Sequence, residues 1–192
     1  MTPGVLAGSP LRQPDGRSCG AAVAVVARML RVPAYAAATR HGSFLAEVLA
    51  QHRRLTAWHD ACGRRQAPWP GWLGTPPWAL VRELGRLTAE GYAARPALRR
   101  RAAWDRLRTA TPDRPVALYV GSRLLPRHVV LVTGPDEGPG TAVACYEPAS
   151  GRPVRLERWA FLAGGCALAG WDRPWFTVGP ALTARPARRT RA

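Results

Sequence analysis

Polar residues almost vanish between residues 19 and 30, where Gly, Ala, Val, Met and Leu are interrupted only by Arg28, and Pro33 follows closely. A helix that is apolar all round belongs in an interior. The run therefore predicts a buried helix, with the Ser18 hydroxyl as N-cap and Pro33 as its stop. A second helix is expected over 43–56, where Leu45, Val48, Leu49, His52 and Leu55 recur at three- and four-residue spacing. Thr75 and Pro76 open a third, carrying Leu80, Leu84 and Leu87 on one face. An Arg-rich helix is expected over 98–109. Between the second and third lies a rigid aromatic loop, 62–74, holding Pro68, Trp69, Pro70, Gly71 and Trp72.

Past residue 115 the pattern changes to short runs rich in Val, Leu and Tyr, bounded by Gly or Pro, at 116–121, 128–134, 142–147 and 154–156. A helical turn over 157–163 and a last strand over 175–178 follow. Helices first and antiparallel strands afterwards are the order of an α+β fold. Residues 1–17 form an extended lead-in ending in the Pro14-Asp15-Gly16 turn. One domain over 1–182 is expected, with 183–192 as a disordered Arg-rich tail.

Composition narrows the function classes. The chain has 192 residues and a net charge of +16, and every basic residue is Arg. Its longest uncharged apolar run, 159–171, holds three glycines and falls short of the roughly 20 residues that span a bilayer. The first residues lack a basic n-region, so no secretory signal is read and a cytoplasmic location is expected. The arginines are scattered through every segment, apart from 99–101 and the tail, and no nucleic-acid motif accompanies them. The charge then reads as a solvated basic surface rather than a nucleic-acid site. His52, His59 and Cys62 have no second pair at zinc spacing, so neither a metal nor another cofactor is expected.

The chemistry starts at Gln13-Pro-Asp-Gly-Arg-Ser-Cys19-Gly20. A thiol at a helix N-terminus meets the positive end of the macrodipole and unsatisfied amides, both of which favour the thiolate. Six residues upstream, the Gln13 amide comes back through a turn to offer its NH2, with the Cys19 N–H, to a developing oxyanion. Gly20 leaves room for substrate, and Trp69 and Trp72 are placed beside it. A base is supplied by His128 at the head of a strand. Setting Gly134 opposite Thr141 across the intervening turn places His128 directly opposite Glu147, whose carboxylate can then orient the ring. The same register pairs Cys145 with Val130 in the core, and Cys145 and Cys166 read as inert. With Cys19 reserved as nucleophile, the three other cysteines argue against structural disulfides.

Gln13 with Ser18-Cys19-Gly20-Ala21-Ala22, His128-Val-Val-Leu-Val and Tyr146-Glu147-Pro148-Ala-Ser-Gly151 resemble the papain-like cysteine peptidases of the bacteriocin-processing, double-glycine leader group and their stand-alone relatives. The resemblance implies a papain-like fold, with Cys19 as nucleophile, His128 as base, Glu147 as orienter and Gln13 in the oxyanion hole, and a peptide or protein substrate. It departs at Glu147, where the family usually has Asp, and at Ser18, where Asp is frequent. Residues 39–109 match nothing in it. Two other uses of the same residues remain open: acyl transfer, and a catalytically silent binding module for a peptide or polyanion.

Overall fold

The computed structural model describes residues 4–136 and 141–181. The tail expected to be disordered, 183–192, lies outside them. The first half of the chain is helical. It comprises α1 (Cys19–Arg31), α2 (Pro33–Ala38), α3 (Phe44–Thr56) and α4 (Pro77–Thr88), with a π turn at Thr39–Ser43 and 3-10 turns at Gly4–Leu6 and Gly71–Leu73. The second half supplies β1 (Tyr92–Pro96), α5 (Arg100–Leu107), β2 (Val116–Gly121), β3 (Pro126–Pro135), β4 (Ala142–Glu147), β5 (Arg152–Glu157), α6 (Arg158–Ala163) and β6 (Arg173–Pro180). One sheet results, ordered β1-β6-β2-β3-β4-β5 and antiparallel throughout. The class is α+β, as the order of elements predicted.

Both sheet faces are covered, which explains why Val116–Gly121 reads as one continuous apolar run. Ala117, Tyr119, Val129, Leu131, Tyr146 and Val178 join the core around α1. Val116, Leu118, Val130, Val132 and Val143 join Trp104, Leu107 and Phe161 of α5 and α6 on the other side. The small side chains of α1 let it sit between α3, α4 and β3, and Val23 and Val26 are wholly excluded from solvent. Each such valine is worth roughly 1.5–3 kcal/mol of burial.

Several local expectations are corrected. The Ser18 hydroxyl makes no capping bond. Instead, Asp15 Oδ1 accepts from the N–H groups of Arg17 and Ser18, both at 2.9 Å, so an Asx turn leads into α1. Helix α4 starts at Pro77 with Pro76 as N-cap, and Thr75 lies outside it. The buried stripe of α3 is Phe44, Val48, Gln51 and Leu55, leaving Leu45 (52% exposed) and Leu49 (40%) outward. Gln51, buried in that stripe, takes a place that hydrophobicity alone does not select. The edge strand β1 is an addition, since Ala-Ala-Arg-Pro carries little strand propensity and its pairing with β6 is a tertiary effect.

The lead-in is pinned across the β4–β5 turn. Leu11 N–H donates to the Gly151 carbonyl and Gln13 N–H to the Pro148 carbonyl, both at 2.9 Å, and Tyr146 Oη–H donates to the Leu11 carbonyl. Gly151 has φ +70°, and a Cβ there would lie 2.5 Å from Arg12 N. Gly151→Ala combines left-handed strain with a backbone clash, so a loss of roughly 2–5 kcal/mol is expected in denaturant melts. A variant melting within a degree of the parent contradicts this packing.

Candidate active site

Cys19 is the first residue of α1 and is only 4% exposed. His128 in β3 and Glu147 at the end of β4 are each 5% exposed. Their side chains meet: His128 Nε2 lies 2.7 Å from Glu147 Oε1. Cys19 is near enough to the ring to act on it electrostatically. The structure thus joins His128 to Glu147 and sets Cys19 in their neighbourhood.

The register that does so is not the expected one. Leu131 pairs with Tyr146 and Val132 with Cys145, and a bulge before Gly134 pairs that residue with Ala144. The assumed Gly134–Thr141 pair fails because β3 continues through Pro135. Cys145 therefore lies opposite Val132, not Val130. On this register His128 is a diagonal neighbour of Glu147 rather than directly opposed. Diagonal Cα atoms stand about 7–8 Å apart, a span only longer side chains cross. The extra methylene of Glu relative to Asp thereby acquires a physical use.

Three donors hold the Glu147 carboxylate: His128, the Ala149 N–H at 2.6 Å and the Ser150 N–H at 2.7 Å. Burial works against its charge, but these hydrogen bonds prevail and its pKa falls from 4.5 to about 2. For His128, burial again opposes the charged form. The interactions with Cys19 and then with Glu147 outweigh it and raise the pKa from 6.5 to about 9. The charged form of the ring is thereby favoured. By contrast, burial pushes Cys145 up and Cys166 up to about 12, keeping both as thiols.

No protein-family model matches the chain, and neither does any curated protein. Among solved structures it is similar to one from Streptococcus, the peptidase domain of ComA, a bi-functional ABC transporter involved in a quorum-sensing pathway. That similarity has 18% identity and a TM-score of 0.44 over 88% of this chain and 96% of the other.

The remaining expected site residues divide. Gln13 is half-buried. Its Nε2 donates to the Asp15 carbonyl inside its own turn, and its Oε1 is buried without a partner. Gly20 does not face open space: a Cβ there would lie 2.5 Å from Thr75 Cβ, so glycine is required for the start of α1 to pack on Thr75. This corrects its expected role beside substrate. Trp72, 67% exposed, stands on the Gly71–Leu73 turn. That turn is held by His52 Nε2, 3.1 Å from the Gly71 carbonyl. It flanks the start of α1, since a Cβ on Gly74 would touch the Arg17 carbonyl oxygen at 3.4 Å. Trp69 packs edge-on against Trp78 with ring centroids 5.1 Å apart, and its Nε1 is buried without a partner.

Sequence reading missed two supports. Thr75 wedges against Gly20 while its carbonyl accepts from Tyr119 Oη–H at 3.0 Å, and no motif announces either contact. The Ala149 and Ser150 amides were legible, since Glu-Pro-Ala-Ser-Gly is a turn whose N–H groups fold back on its first side chain. The four cysteines are all unpaired. Among the described residues, no group of three His, Cys, Asp or Glu side chains is arranged to hold a metal, and no helix is long and apolar enough to cross a membrane.

Proposed function

We propose that this protein is a papain-like cysteine peptidase acting on a peptide or protein through Cys19, His128 and Glu147. The observation that carries the reading is the buried imidazole bonded to the Glu147 carboxylate at 2.7 Å, with Cys19 at the head of α1 close enough to raise its pKa. A nucleophile, a base and an orienter are the parts thiol catalysis needs. The Cys19 sulfur attacks the peptide carbonyl, forming a C–S bond as the carbonyl electron pair moves onto oxygen. The resulting oxyanion is received by the Cys19 N–H, an orphan of the helix start, and by an N–H of the Gln13 amide, which has two and commits one to Asp15. As the C–N bond breaks, His128 gives its proton to the leaving amine. Water, deprotonated by His128, then releases the acyl group. Trp72 and the turn bearing it supply one wall of the substrate cleft.

Alkylation by iodoacetamide tests the activated thiol with an internal control, because Cys62 is exposed and Cys19 is not. At neutral pH, Cys19 is expected to label about tenfold or more faster than Cys62, as an imidazolium-paired thiol should. Mass spectrometry of the digested protein reads both sites at once. Labelling in order of exposure, Cys62 first, rejects the proposal.

A further inference from the structure

The arginines bordering the groove along α4 are neutralised: Arg64 and Arg82 by Asp60, and Arg86 by Glu83. On the other face of the sheet, Arg95 and Arg106 are not. Arg95 in β1 pairs in register with Thr177 of β6. Arg106 of α5 reaches the same place, its Nε–H donating to Thr177 Oγ1 at 3.0 Å and an Nη2–H to the Pro96 carbonyl at 3.2 Å. These two bonds anchor Arg106 on the residue that Arg95 faces across the strands, where the two charges repel. Both side chains are half-buried, and the Arg95 Nε–H is buried without a partner. Among the described residues, no carboxylate lies within ion-pair distance of either. Burial, and then the neighbouring Arg95 charge, lower the pKa of Arg106.

Like charges held together without a counterion, next to an unsatisfied buried donor, destabilise the empty site. A bound oxyanion, held by the guanidinium N–H groups that remain open to solvent, removes the repulsion. Two guanidiniums present two charges and several N–H groups, which a carboxylate monoanion matches only in part and a phosphate dianion matches fully. We propose that Arg95 and Arg106 form a phosphate-binding site, supported by Thr177, that takes inorganic phosphate or the phosphate of a phosphomonoester. The site stands on the opposite face of the sheet from α1, and it holds or fails independently of the peptidase reading.

Isothermal titration at fixed ionic strength, with inorganic phosphate and with phosphoserine as separate probes, is the test. Saturable binding is expected, weakened at least about tenfold by Arg95→Gln or Arg106→Gln and unchanged by Arg101→Gln at an exposed position of the same helix. Tighter binding of phosphoserine names the monoester as the source, and equal or tighter binding of phosphate names the free ion. In phosphate-free buffer, Arg95→Gln is expected to melt no lower than the parent because repulsion is relieved; with phosphate present the order reverses. Absence of saturable binding overturns the site, as does equal weakening by Arg101→Gln, which marks general charge attraction. If the variants fail to fold, the Arg95 Nε–H resonance of the unaltered protein decides: it shifts saturably with phosphate, or the site is rejected.

Discussion

Cys19→Ala is expected to lower peptide hydrolysis by about 10³-fold or more while keeping the fold, with the melting temperature lowered only by the loss of its interaction with His128. The size follows from losing the atom that forms the covalent bond, since members of a catalytic set act as a unit and removing any one forfeits most of the rate. The small structural effect follows from the site: Cys19 is 4% exposed at the head of α1, next to Gly20, Ala21 and Ala22, where alanine's helix propensity is the best available. A second readout separates this from general damage. Cys19 helps to raise the pKa of His128, so the imidazole of the variant should titrate well below about 9 in an NMR pH series. A variant that still cleaves peptide within tenfold of the parent rate removes Cys19 from the chemistry.

Much of this arrangement was legible because strong local signals agreed with the tertiary outcome. The interior position of α1 follows from a run with a single charge, and the doubly covered β2 from Val-Ala-Leu-Tyr-Val-Gly. The partners of His128 were legible by residue type, yet the register that joins them was not. The hairpin pairs Gly134 with Ala144 rather than Thr141, a displacement of three residues, and the bulge between Val132 and Gly134 takes back one, so the net offset of two turns opposed residues into diagonal ones. The stripe of α3 failed for a different reason. Its two candidate faces overlap, and the choice depends on the buried Gln51, whose Oε1 accepts from Arg54 at 3.3 Å. Gly20 was misassigned because a glycine beside a nucleophile serves substrate approach and helix packing equally well, and only the position of Thr75 distinguishes them.

Glu147 provides the second large effect, and two substitutions divide its functions. Glu147→Gln keeps the length but removes the charge, and its amide cannot accept from His128, Ala149 and Ser150 as the carboxylate does. A fall in kcat of about 10²–10⁴-fold is expected, the range set by losing the group that orients and supports an imidazolium. The alkaline limb of the rate profile, which reports loss of the imidazolium proton at about 9, should move toward 6.5. Stability carries the same signature. The raised pKa of His128 contributes stability that is full below 6.5 and lost as pH rises through about 9. The lowered pKa of Glu147 contributes above 4.5 and is lost as pH falls through about 2. The parent should therefore be most stable between these limits, and Glu147→Gln should flatten both slopes. Glu147→Asp keeps the charge but shortens the reach, so across a diagonal pair it should still lose about tenfold in kcat and lower the alkaline limb. An aspartate variant with the parent's rate and pH profile would mean that the pair is directly opposed after all, and that the added methylene has no part in holding the ring.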